Sequence, residues 1–151
     1  MVPEKAIHVN LGRTDFAATW NLQKEIMELK KSGVIADVIL STEHEHVYTL
    51  GKSGDRDHLL LGEPQLKAKG ISYYEIDRGG DLTYHGPGQI VVYPIFDLHN
   101  YYLDTHRYLR DLEEAVILTL KEYGIESGRD GVLNQSRLFV CDLQPTDRAI
   151  P

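Results

Sequence analysis

Cysteine is nearly absent: Cys141 is the only one among 151 residues. A lone thiol excludes an internal disulfide framework, and a reducing cytoplasm is the expected location. Long apolar runs are missing too, since none approaches the roughly 20 residues of a membrane span. The stretch Met1-Val2-Pro3-Glu4-Lys5 has no apolar core for a secretory signal. Basic residues are in deficit, 16 against 23 acidic ones for a net charge of −7, which argues against a nucleic-acid partner held by phosphate contacts. An acidic protein partner needs a local basic patch, for which Lys52, Arg56, Arg78, Arg107 and Arg110 are the candidates. Internal repeats and low-complexity linkers are also lacking. The length fits one domain with a genuine hydrophobic core.

The remaining pattern alternates strands and helices. Residues 6–11 read as a first strand closed by Gly12. Thr14 or Asp15 then caps a helix to about Ser32, stopped by Gly33, with Phe16, Trp20, Ile26, Met27 and Leu29 near one face. Residues 34–40 are rich in β-branched side chains and read as a second strand. A short helix over 63–69 lies between Pro64 and Gly70, and a strand over 72–76 leads to the central motif. From Asp104 or Thr105 to Gly124 runs the strongest helix, with Leu109, Leu112, Val116 and Leu120 as a core-facing stripe. Beyond Arg129 the periodicity is lost, apart from the apolar tetrad Leu138-Phe139-Val140-Cys141, a candidate short strand.

Chemistry concentrates in Arg78-Gly79-Gly80-Asp81-Leu82-Thr83-Tyr84-His85-Gly86-Pro87-Gly88-Gln89. Two glycine turns bracket Leu-Thr-Tyr-His, and the extended run Ile90 to Asp97 follows. Paired glycines let a ligand approach the main chain closely. The plain alternative is a hairpin with a decorated loop. The strand, turn, strand, turn, strand order predicts one contiguous, antiparallel sheet region, with Pro94 at an edge or bulge. Upstream, His44 and His46 share a face if extended, but no spacing of a recognised zinc site accompanies them and no metal is expected.

The motif resembles the signature of the lipoyl(octanoyl) transferases, octanoyl-[acyl carrier protein]:protein N-octanoyltransferases of lipoate biosynthesis. Glu43-His44 with Val47-Tyr48-Thr49-Leu50-Gly51, and Asn21-Leu22-Gln23, are similar to further segments of that family. The resemblance covers about residues 7–128. It implies an α+β fold, a curved mixed β-sheet with packed helices like that of biotin and lipoate protein ligases. It also implies protein lipoylation chemistry: octanoyl moves from acyl carrier protein to a lysine of lipoyl domains in 2-oxoacid dehydrogenases or of the glycine cleavage H protein. No cofactor, nucleic acid or membrane is implied. The family works by covalent catalysis through a cysteine whose pKa a lysine lowers.

Carried onto this chain, the resemblance makes Arg78, Gly79, Gly80, Asp81, Leu82, Thr83, Tyr84 and His85 substrate-binding. The N–H groups around Gly79 and Gly80 and the Thr83 hydroxyl are expected to meet the thioester carbonyl. Leu82 and Tyr84 are expected to line a slot for the eight-carbon chain, and Asp81 to put a negative charge beside it. His85 either positions the acyl group or nucleophile, or makes a structural hydrogen bond. The Pro-Cys-Gly setting of the family nucleophile and its lysine segment are not found, so no catalytic residue is assigned. Cys141 has neither flanking residue, and Lys121 lies on the wrong element. The expected division is therefore 1–128, an octanoyltransferase-like part, and 129–151, a divergent tail. Activity is expected to be weak or lost in this form. A non-catalytic acyl- or carrier-protein-binding module is the alternative, and an ATP-dependent lipoate or biotin ligase a more remote one.

Overall fold

Asp15 ends the first strand and starts the first helix. In the computed structural model, which describes residues 5–129 and 138–140, β1 (Ile7–Thr14) leads through Asp15 into α1 (Phe16–Lys31). The Asp15 carboxylate accepts the Ala18 N–H at 2.9 Å, an N-cap, and Gly33 at φ 72° releases the chain at the other end. Next come β2 (Val38–His44), β3 (Val47–Leu50), α2 (Glu63–Ala68), β4 (Ser72–Glu75), β5 (Leu82–His85) and β6 (Val91–Ile95). The second strand starts later than its β-branched residues predict. Lys30 reaches back from α1 to the Ile35 carbonyl at 3.4 Å and the fully buried Asp37 carboxylate at 2.6 Å, so 34–37 is an irregular return.

The chain divides into two compact units, residues 1–100 and 101–151. The first holds two mixed three-stranded sheets. In one the order is β1-β2-β6, with β2 parallel to β1 and antiparallel to β6. Along β2, Val38, Leu40, Thr42 and His44 are buried while Ile39, Ser41 and Glu43 are partly exposed, the period-two pattern of a strand covered on one face. Thr14 Oγ1 lies 2.7 Å from both Thr19 Oγ1 and Thr42 Oγ1, tying the start of α1 to this sheet.

The second sheet has the order β4-β3-β5. This corrects the expectation of one antiparallel region. β3 inserts between β4, parallel to it, and β5, antiparallel to it, while β6 pairs with β2 instead. The glycine turns therefore carry the chain between strands that do not pair with each other. Pro94, opposite Ile39, lies on a strand paired on one side only among the described residues, the edge position to which proline is confined in sheets.

In the second unit, Asp104 caps α3 (Thr105–Glu122) by accepting the Arg107 N–H at 3.0 Å. β7 (Ser127–Arg129) pairs antiparallel with β8 (Leu138–Val140), so the apolar tetrad does contribute a strand. The core-facing stripe of α3 is not covered as expected: Leu109 and Val116 remain 43% and 45% exposed. The buried residue of this helix is Glu113, because Arg129 of β7 docks there rather than on the leucines. No helix among the described residues is long and apolar enough to cross a membrane. The mixed α+β class expected from the sequence is the class observed.

Candidate functional site

The guanidinium of Arg78 organises the glycine turn that follows it. Nη2 reaches the Thr49 carbonyl (2.9 Å), Thr49 Oγ1 (3.0 Å), the Asp81 carbonyl (2.8 Å) and Thr83 Oγ1 (2.8 Å), while Nη1 reaches the Gly79 carbonyl (2.9 Å). One side chain thus ties the turn to β3 and β5, using the fork of donors that a lysine lacks. None of these acceptors is a carboxylate, so the guanidinium keeps its charge inside the turn. The turn sits directly on Gly51, where a Cβ would meet the Gly80, Gly79 and Arg78 carbonyl oxygens at 2.3, 2.9 and 3.0 Å.

Ser53 closes the turn from outside by accepting the Gly80 N–H at 3.1 Å. The Gly79 N–H has no acceptor among the described residues, and the space beside its Cα is open. Asp81 faces the 54–58 segment. Its carboxylate accepts the Asp55 N–H at 3.2 Å and lies 2.5 Å from His58 Nδ1. The Leu82 N–H, then the His58 and Asp55 contacts, hold this carboxyl below its ordinary range. Asp81 therefore anchors the neighbouring loop, a role the sequence did not indicate.

Register places the motif on two faces. Thr83 and His85 oppose Thr49 and Val47, whereas Leu82 and Tyr84 oppose Leu50 and Tyr48. On the first face the His85 ring lies parallel to Phe16 with centroids 6.4 Å apart, and Phe16 also packs on Tyr74 and on the edge of His44. His85 Nδ1 lies 2.6 Å from Gln89 Oε1. With that oxygen accepting, Nδ1 carries the proton and Nε2 presents a lone pair.

Behind His85, with ring centroids 5.9 Å apart, lies the fully buried His44. Its Nε2 is 2.8 Å from the Tyr93 hydroxyl and its Nδ1 is 3.4 Å from the Thr14 carbonyl. Burial lowers the His44 pKa, so the ring is neutral, accepting from Tyr93 and donating to Thr14. Burial pushes the Tyr93 phenol up to about 12, against the pull of a Gln23 hydrogen bond. Phe16, Tyr93 and Gln23 were missed as parts of this site; only Gln23 lay in a segment marked by resemblance. His46 turns to a different partner from His44, the Tyr84 hydroxyl at 2.5 Å. Among the described residues no three His, Cys, Asp or Glu side chains form a metal-sized cluster.

Four of the candidate basic-patch residues have partners of their own. Arg56 pairs with Glu63 at 2.8 Å, Arg107 lies over Tyr102 and 3.9 Å from Asp111, Arg110 pairs with Glu113 at 2.8 Å, and Arg78 is spent in its turn. Lys121 lies in the last turn of α3. Cys141 falls outside the described residues.

A family profile described as "Lipoyl protein ligase A/B catalytic domain" matches residues 15–142. The octanoyltransferase of Flavobacterium johnsoniae is 55% identical over 131 residues, covering 80% of this chain and 56% of its own length. The octanoyltransferase of Bacteroides thetaiotaomicron is 44% identical over 130 residues, covering 83% of this chain and 57% of its own length. The chain thus spans a little over half the length of these curated relatives. Among solved structures, a chain from the bi-partite lipoate protein ligase and E2 lipoyl domain of Thermoplasma acidophilum aligns with a TM-score of 0.61 at 19% identity, over 87% of this chain and 50% of that one. A lipoate-protein ligase A bound with ATP aligns at 0.57 and 17% identity, over 88% of this chain and 51% of that one. At such identities the likeness is one of fold.

Proposed function

Since the chain belongs to the lipoyl protein ligase A/B catalytic domain family, we propose that residues 1–128 carry the acyl-substrate part of an octanoyltransferase of protein lipoylation. The reaction moves octanoyl from the thioester of acyl carrier protein to a lysine amine. A C–N bond forms, the C–S bond breaks, and the amine's proton ends on the departing carrier thiol. In the route that the resemblance implies, a cysteine thiolate takes the acyl group first, so two acyl transfers replace one. The acceptors are lipoyl domains of 2-oxoacid dehydrogenases and the glycine cleavage H protein. A structural neighbour described together with its E2 lipoyl domain supports that choice. The reducing cytoplasm suits the single thiol.

The observation that carries this reading is the unspent Gly79 N–H beside the Arg78 charge. A thioester carbonyl meeting that N–H and the Thr83 hydroxyl gains negative charge as it is attacked. A fixed guanidinium and prepositioned donors stabilise that charge without reorganising. The open space at Gly79 admits the carbonyl. Gly80 supplies the bend, at φ 86°. Leu82 and Tyr84 offer the tail an apolar strand face. Asp81 holds the 54–58 loop against the turn, and His85 presents Nε2 to the incoming group.

Titration of the 151-residue chain with octanoyl-acyl carrier protein tests the reading without requiring turnover. Saturable binding is expected, weakened at least about tenfold in Arg78→Ala, the effect of losing one charge-assisted contact. Absence of binding would overturn it. Labelling of a lipoyl domain by free octanoate and ATP would replace it with a ligase.

A further inference from the structure

Tyr84 sits between two neighbours that fix its ring. Tyr48 lies on one side with centroids 5.3 Å apart, and the His46 ring stacks at 6.1 Å with an interplanar angle of 25°. The phenol oxygen is 2.5 Å from His46 Nδ1, a hydrogen bond between the two side chains. What this pair covers is Gly86. A Cβ there would lie 2.2 Å from the Tyr84 hydroxyl, 2.7 Å from Cζ and 3.1 Å from His46 Nδ1. Gly86 is accordingly buried, although Pro87, Gly88 and Gln89 after it are exposed.

The corner that begins at Gly86 is closed by short bonds. The Gly86 carbonyl accepts the Gln89 N–H at 3.1 Å. Glu43 accepts the Gly88 N–H at 2.9 Å. Gln89 in turn receives His85 Nδ1–H. The placement of Gln89, and with it the tautomer of His85, thus depends on where the corner sits. Glu43 holds it on one side and the Tyr84 hydroxyl occupies the space over Gly86 on the other.

We propose that His46 is a positioning residue: through the Tyr84 hydroxyl it seats the Gly86–Gln89 corner and so holds His85 as the Nδ1–H tautomer with Nε2 free. The purpose assigned to His85 rests on the octanoyl-site reading; the clamp itself does not. Sequence periodicity gave no sign of it, because His46 stands in the bend between β2 and β3 and meets Tyr84 from 38 residues away.

Long-range proton–nitrogen NMR of the full chain reads the His85 tautomer directly. The wild type is expected to show Nδ1–H. Tyr84→Phe and His46→Ala are expected to shift His85 toward Nε2–H. His46→Asn, whose Oδ1 takes nearly the place of Nδ1, should restore it. Octanoyl-carrier affinity should fall about fivefold in Tyr84→Phe, the worth of one hydrogen bond, and recover in His46→Asn relative to His46→Ala. An unchanged tautomer in folded Tyr84→Phe overturns the proposal, and so does failure of His46→Asn to restore it. Tyr84→Phe removes a single hydroxyl from a residue that is 42% exposed, so it decides the matter if His46→Ala does not fold. A wild type that shows the tautomer but binds no octanoyl donor counts against the function and leaves the clamp standing.

Discussion

Each unit of the molecule is organised around an arginine, and the two are used in opposite ways. In the first, Arg78 spends its donors on carbonyl and hydroxyl oxygens, so the turn it builds retains a positive charge. In the second, Arg129 Nε lies 2.9 Å from Glu113 and its Nη2 2.7 Å from Glu114, with Arg110 2.8 Å from the same Glu113 oxygen. Two cations and two carboxylates cancel there. Neutralised charges hold elements together, whereas a guanidinium bound to dipoles holds the chain and still acts on a ligand. On the proposed function, the Arg78 turn serves chemistry and the Arg129 knot structure.

The hardest test of that contrast is Arg78→Ala. It strips partners from the buried Thr49 carbonyl and hydroxyl at once, so about 3 kcal/mol of stability should go, read by urea unfolding. Arg78→Lys should recover little, because an ammonium cannot reach the separate oxygens that the fork does. If Lys restores wild-type stability, the turn needs only a charge and the contrast collapses. Next in size is Gly51→Ala. Its Cβ would press on backbone carbonyls at 2.3 to 3.0 Å that cannot swing aside, for a loss of about 2 kcal/mol by the same measurement.

These two residues also mark how far the sequence could be read. The twelve-residue motif and the helix starts at Thr14 or Asp15 and at Asp104 or Thr105 were legible, because they rest on local sequence and spacing, while the mixed α+β class was implied by the family resemblance. That Arg78 is consumed by Thr49, and that Gly51 is the floor of the turn, was not. Both depend on β3 lying between β4 and β5, a pairing that spans dozens of residues and leaves no periodic trace. His44 was visible as a residue but not as a buried neutral partner of Tyr93, because burial is a property of the assembled sheet. The exposed stripe of α3 failed for the converse reason. Its spacing announces a face to be covered, yet Glu113 takes the covered position because Arg129 meets it there.

Acid separates the units in a further, smaller effect. Burial lowers the pKa of His44 from 6.5, so its contribution is complete above that value and declines as pH falls from 6.5 to the lowered one. Arg110, and then Arg129, lower the pKa of Glu113 from 4.5, so its contribution is complete above 4.5 and is lost as pH falls from 4.5 through the lowered value. Urea midpoints followed by Trp20 fluorescence should therefore start to fall near pH 6.5, and protection of α3 amides only below pH 4.5. His44→Gln, which keeps a partner for Tyr93, should flatten the first slope alone. A first slope that survives in His44→Gln would assign it to another group.

The smallest effect on folding is the most informative about function. Gly79 and Gly80 are neighbours with different duties. Gly80 has φ 86°, where a side chain costs about 1 kcal/mol, and a Cβ would also stand 3.2 Å from Arg78 Nη1. Gly79 has neither a positive φ nor any atom within 4 Å of a built Cβ, so Gly79→Ala should leave stability within about 0.5 kcal/mol of wild type. If the open space beside Gly79 is where the thioester carbonyl arrives, the added methyl crowds the ligand and not the protein. Octanoyl-carrier affinity should then fall about tenfold in Gly79→Ala while the urea midpoint stays put. Equal affinity in this variant would move the carbonyl away from the Gly79 N–H and leave the Arg78 turn as scaffolding, no different in kind from the Arg129 knot.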